Sequence, residues 1–174
     1  MAYAVSLLLD AKAAVAVSER WQRVADAGLS RSMLDLGYTP HVTLAVFDEL
    51  DVNAATAALD GMLSAVPRID VTLSAITSFG VGSGVVYGAL ASSSDLLDLH
   101  EMTLRTISAI CRPHYRIGQW IPHCTLATGL SDADINRAVH LLQRDWQPLT
   151  GRFEAVDFVE FLPVVGIRRW PLRG

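Results

Sequence analysis

The sequence predicts a duplicated α+β fold: two lobes related by a pseudo-twofold, with one matched strand from each near the middle. Three observations predict it. A six-residue stretch occurs twice, as Pro40-His41-Val42-Thr43-Leu44-Ala45 and as Pro122-His123-Cys124-Thr125-Leu126-Ala127. The copies stand a little under half of the 174-residue chain apart. Each half reads in one order (strand, helix, loop, motif strand, helix, strand), and internal repetition of this kind constrains a fold before any local assignment does.

The elements follow in order. Residues 3–9 form an apolar strand. Asp10 caps a helix that runs to about residue 27 and closes at Gly28. Residues 29–38 read as loop, with Gly37 and Pro40 marking turns. Residues 41–47 form the first motif strand, and 52–65 an Ala-rich helix stopped near Pro67. In 69–77, Ile69, Val71, Leu73 and Ala75 alternate with Asp70, Thr72, Ser74 and Ile76, the period of a strand. Gly80, Gly82 and Gly84 make a flexible turn, expected to be the crossing between pseudo-repeat lobes of about 1–80 and 85–174.

The second half begins with a strand over 85–91 and a helix from 95 to about 111, capped by Ser94. A polar and aromatic loop over 112–119 leads to the second motif strand, 120–128. Ser131 and Asp134 resemble a capping box, with Asp in the place of Glu, and open a helix to about residue 145. Strands over 153–162 and 167–172 finish the chain. No linker sets the lobes apart, so a single domain over 1–174 is expected.

Composition narrows the function. At 51% hydrophobic and 18% charged residues, the chain has the material for a real core. A formal net charge of −4 argues against coating long double-stranded nucleic acid by charge. It leaves open a small phosphorylated ligand or an RNA end, because a pocket can be basic inside an acidic protein. No stretch reaches the roughly 20 apolar residues of a membrane span. The apolar start, 2–9, reads as a buried strand and not as a signal peptide. Cys111 and Cys124 give neither a disulfide framework nor a metal-type spacing, and a reducing cytoplasm is the default location.

The repeated stretch carries the chemistry. On a strand, residues i and i+2 share a face, so His41 lies beside Thr43 and His123 beside Thr125. Val42, Leu44, Val46, Cys124 and Leu126 are expected to point the other way, into packing. Small Ala45 and Ala127 are expected to continue the polar face and leave room for a ligand. Imidazoles titrate near neutral pH, so one can take a proton while the other gives one. Threonine hydroxyls two residues away can hold the non-bridging oxygens of a phosphate. No cofactor is needed. A zinc site would want a third protein ligand, which the motifs lack.

With these motifs, His41-Val42-Thr43-Leu44 and His123-Cys124-Thr125-Leu126, the sequence resembles the 2H phosphoesterases, the superfamily of 2′-5′ RNA ligase-like proteins and cyclic phosphodiesterases. The resemblance implies a bilobal fold of two mainly antiparallel sheets flanked by helices, with both motifs lining a central cleft. It implies metal-independent opening of 2′,3′-cyclic or related cyclic phosphates, with His41 and His123 moving protons. Some members join RNA ends through a 2′-5′ linkage, so a small cyclic-phosphate nucleotide and an RNA end are the expected partners. Several RNA-acting relatives carry an arginine soon after the second motif; here Ala127-Thr128-Gly129 follows, which favours a smaller substrate.

Outside the motifs, Tyr38, Tyr115 and Arg116 are candidate substrate contacts, Tyr115 by stacking and Arg116 by pairing with phosphate. Trp120 and Phe79 read as core, His100 as structural and His140 as exposed. Cys124 points away from the motif face, which argues against a cysteine nucleophile. Three rivals remain: an RNA 2′-5′ ligase or RNA-end processing enzyme, a binding module that senses a nucleotide or RNA end without turnover, and an α+β domain whose motifs are purely structural, with both histidines buried out of reach of solvent.

Overall fold

The computed structural model describes residues 2–174; of the domain expected over 1–174, Met1 lies outside the described residues. The strands are β1 (Ala2–Leu9), β2 (His41–Phe47), β3 (Ile69–Ser78), β4 (Val86–Leu90), β5 (His123–Ala127), β6 (Leu149–Phe161) and β7 (Val165–Pro171). The helices are α1 (Ala11–Asp26), the single turn α2 (Ser32–Asp35), α3 (Val52–Leu63), α4 (Ser94–Thr106) and α5 (Asp132–Gln143).

Short polar side chains start the four long helices. Asp10, Asp51, Ser93 and Ser131 each accept a hydrogen bond from the backbone N–H three residues on. Each thus satisfies a donor that the helix itself leaves free. The cap of α4 is therefore Ser93 and not Ser94. That helix also stops at residue 106, not 111, because Ile107 turns to extended backbone (φ −92°, ψ 114°) and Cys111 bridges to Phe47. The expected loop over 29–38 contains α2.

The two expected sheets are joined in one antiparallel ladder, ordered β2-β1-β6-β3-β4-β5, with β7 also on β6. The junction is the long β6. Its first residues, Leu149 to Phe153, pair with β3, and Phe153 to Phe161 pair with β1. The order is unchanged when β1 is exchanged with β4, β2 with β5 and β3 with β6, which is the symmetry the repeat implies. The lobes do not divide at 80–85, however. Gly80 to Gly84 lie in the turn between β3 and β4, which pair with each other, so β3 of the first repeat belongs to the half-sheet of the second. β6 crosses in the opposite sense. The helices are exchanged too: α1 packs on α5 and β5, and α4 packs on α3 and β2.

One apolar core joins the halves. α1 buries Ala13, Val17, Trp21 and Val24, the stripe of an amphipathic helix, and β6 supplies Phe153, Val156 and Phe158. At Gly151, where α1 begins over β6, a Cβ would stand 2.6 Å from that of Ala13, so only glycine permits the approach. Among the described residues, no helix is long and apolar enough to cross a membrane.

Candidate active site

The motif strands β2 and β5 are the two ends of the ladder, and the sheet curls until they meet. An end strand leaves carbonyls without ladder partners. Two indoles cover them: Trp120 Nε1 donates to the Thr43 carbonyl and Trp21 Nε1 to the Thr125 carbonyl, both at 3.0 Å. The Cys124 sulfur meets the backbone of His41, and burial pushes its thiol up to about 12. Cys124 faces the core, as the alternation predicts, and has no access to a substrate.

His41 and Thr43 share one face of β2, and His123 and Thr125 share one face of β5, all four partly buried between fully buried neighbours. Just past each threonine the ladder is bulged. Ser6 pairs Thr43 and Val5 pairs Ala45, leaving Leu44 extra; Tyr87 pairs Thr125 and Val86 pairs Ala127, leaving Leu126 extra. A bulge shifts the alternation by one residue. Ala45 and Ala127 are consequently core residues, at 0% and 1% exposure, and do not line a ligand space as the unbroken period suggested. Val46 and Thr128 take the cleft face instead.

Each imidazole is held from behind. The Nδ1 of His41 donates to the Thr39 carbonyl at 2.9 Å, and the Nδ1 of His123 donates to the Ile121 carbonyl at 2.7 Å. Because a carbonyl only accepts, the proton of the neutral ring sits on Nδ1, and Nε2 keeps its lone pair for other chemistry. Burial lowers the pKa of both histidines below the ordinary value. The carbonyl bonds oppose that shift; each histidine is also lowered by another, His41 by His123 and His123 by His114.

The cleft consists of two adjoining cavities. One, of about 510 Å³, is lined by His41, Thr43, Ser6, Tyr38 and Thr125 among others. The second, of about 420 Å³, is lined by His123, Phe79, Trp120, His114 and Thr125. Tyr115, Thr125 and Thr128 line both, so a group seated at Thr125 has one histidine on either hand.

The flanking candidates separate. Tyr38 lies with its ring 4.7 Å from that of His41. Its hydroxyl donates to Asp157 at 3.0 Å, and Asp157, 4% exposed, accepts two bonds from Arg169 at 2.5 and 2.7 Å. Burial and then the Asp157 charge raise the Tyr38 pKa far above the usual phenol range. Tyr115 lines both cavities beside Thr43. Arg116 does not join them: the tight turn over Pro113–Tyr115 sends Tyr115 inward, and the next side chain is exposed and lines neither cavity. Phe79 is a cleft wall and not core, 41% exposed, stacked on Tyr87 at 4.2 Å and edge-on to His123 at 4.9 Å. Trp120 is both core and lining, and the buried His100 stacks on it at 4.1 Å. Ser6, Tyr87 and Asp157 were not anticipated. They reach the site through strand pairing across the sheet and carry no local signature. Among the described residues, no three His, Cys, Asp or Glu side chains cluster as a metal site would.

The family described as the 2′-5′ RNA ligase superfamily matches residues 13–162, and the chain belongs to it. Membership in this superfamily of phosphoesterases supports a phosphoesterase activity. Solved structures share the fold. TT0787 of Thermus thermophilus is 17% identical, covers 100% of this chain and 99% of its own, and has a TM-score of 0.66. E. coli LigT complexed with 3′-AMP is 16% identical over 98% and 97%, with a TM-score of 0.59. Kluyveromyces marxianus Usb1 is 11% identical over 98% of each, with a TM-score of 0.54. No curated protein matches the chain in sequence.

Proposed function

We propose that the protein opens 2′,3′-cyclic or related cyclic phosphates to monoesters, with His41 and His123 as acid and base. The observation that carries this is the matched tethering of the two rings by Nδ1, with Thr125 shared between their cavities. In hydrolysis, Nε2 of one histidine takes a proton from water as the water oxygen bonds to phosphorus. The bond from phosphorus to the 2′ or 3′ oxygen breaks, and the imidazolium of the other histidine protonates that oxygen. Thr43 and Thr125 donate to the non-bridging oxygens, where charge builds. No step is routed through a metal. E. coli LigT, similar in fold, is solved with 3′-AMP, with ATP and with NADP+, which supports a nucleotide-sized ligand.

The test is turnover of a panel of nucleoside 2′,3′-cyclic phosphates with chelator present. His41→Ala and His123→Ala are each expected to lose roughly 10²–10⁴-fold in kcat, with the fold intact by circular dichroism at neutral pH. Full activity in either variant overturns the scheme. Family membership favours a second reading, ligation or cleavage at RNA ends. There the same two histidines exchange roles, and oligonucleotides are turned over while mononucleotides are not.

A further inference from the structure

We infer that the substrate bears a single charge, on its cyclic phosphate, with an otherwise uncharged body, so that RNA chains are poor substrates. This rests on the phosphodiesterase reading and specifies its substrate class. Among the described residues, neither cavity is lined by a lysine or an arginine. The first has Met33, Leu36, Val46, Val159 and Phe161 in its walls, and its one charged lining residue besides His41 is a carboxylate, Asp35. The second is lined by neutral and aromatic groups and by histidines.

Three arginines near the lining pair with carboxylates of the protein, and Arg116, next to Tyr115 in the chain, is exposed and lines neither cavity. Arg31 pairs with Asp35 at 3.3 Å. Arg112, over the Phe161 ring, pairs with Asp48 at 3.0 and 2.6 Å. Arg169 is held twice by Asp157. The only lysine of the chain, Lys12, lines a separate surface hollow with Asp10, Asp70 and Arg152. Hydroxyls and imidazoles can therefore hold one phosphate at the meeting point of the cavities. A second phosphate held inside would meet apolar walls or Asp35, with no lysine or arginine among the described lining residues, and an unpaired charge in such a place is strongly disfavoured. Proteins that bind nucleic-acid chains neutralise several phosphates with Lys and Arg.

The experiment compares kcat/KM for adenosine 2′,3′-cyclic phosphate, its 5′-phosphorylated derivative and a trinucleotide ending in a 2′,3′-cyclic phosphate, at low and moderate salt. Each added phosphate is expected to lower kcat/KM by roughly tenfold at low salt, with a smaller loss as salt rises. Asp35→Asn should shrink the loss, and Leu36→Arg should shrink it further. A trinucleotide turned over as well as the mononucleoside, with a rate that falls steeply with salt, overturns the inference. Turnover of none of the three removes the phosphodiesterase reading instead. The charge argument is then read by calorimetry alone: adenosine 3′-monophosphate binding more tightly than adenosine 3′,5′-bisphosphate upholds it, and the reverse order overturns it.

Discussion

Burial of an imidazole penalises its protonated form, and this is the largest influence on both His41 and His123. Acid–base turnover needs one ring protonated and one not. With both rings lowered from the ordinary 6.5, that mixed form is most populated below pH 6.5. The pH profile of kcat/KM should therefore be a bell with its maximum on the acid side of 6.5. In the complex, the anionic phosphate holds the proton on the acid, so the alkaline limb of kcat should lie higher than that of kcat/KM. A kcat/KM maximum above pH 7 would show that burial does not set these rings. The rings themselves were legible in the sequence, because a two-residue period and a repeated stretch are local facts. The groups around them were not. Tyr38 meets Asp157 across 119 positions, a separation that leaves no mark on the residues near either one.

The ends of elements were less legible than their order. The first motif strand matches its expected 41–47, whereas the second begins at His123 and not at residue 120. Trp120 stands outside the ladder because its indole is turned onto the Thr43 carbonyl of the other motif strand. β6 begins at Leu149, four residues before its expected start, since Gly151 interrupts the apolar alternation that marks a strand. That glycine is required by the element above it. An added methyl would stand 2.6 Å from the Ala13 Cβ and 2.9 Å from Asp10 Oδ2, the carboxylate that caps α1 and also accepts from the Arg152 N–H. Gly151→Ala should cost about 1–3 kcal/mol in urea unfolding, the range for overpacking. A variant of wild-type stability would mean that the first turn of α1 can lift away freely.

For the molecule as a whole, His41, His100 and His123 act together on stability. Burial is the leading cause of the lowered pKa in all three. The unfolded chain, with ordinary histidines, binds more protons below pH 6.5, so folding should weaken as pH falls through that value and be constant above it. The carboxylates lowered by side-chain hydrogen bonds, Asp48, Asp134 and Asp145, lose their contribution only in the more acid range below 3.8. Urea midpoints at pH 7.5 and 5.0 check this: the midpoint should drop at pH 5.0, and His100→Gln should reduce the drop. Equal midpoints in the wild type would remove buried histidine as the cause. The duplicated plan was visible at this scale because each half repeats its element order. The exchange of β3 and β6 was not, because pairing partners are chosen by the folded sheet and not by the neighbours of a strand.

That exchange has a consequence for how the molecule can be divided. A cut in the Gly80–Gly84 turn, the natural seam of the repeat, would hand each fragment a strand whose bed lies in the other. Neither piece would hold a complete half-sheet, and neither would carry more than one of the two imidazoles. The chain is built like clasped hands, with each motif presented only while the two grips are closed on one another.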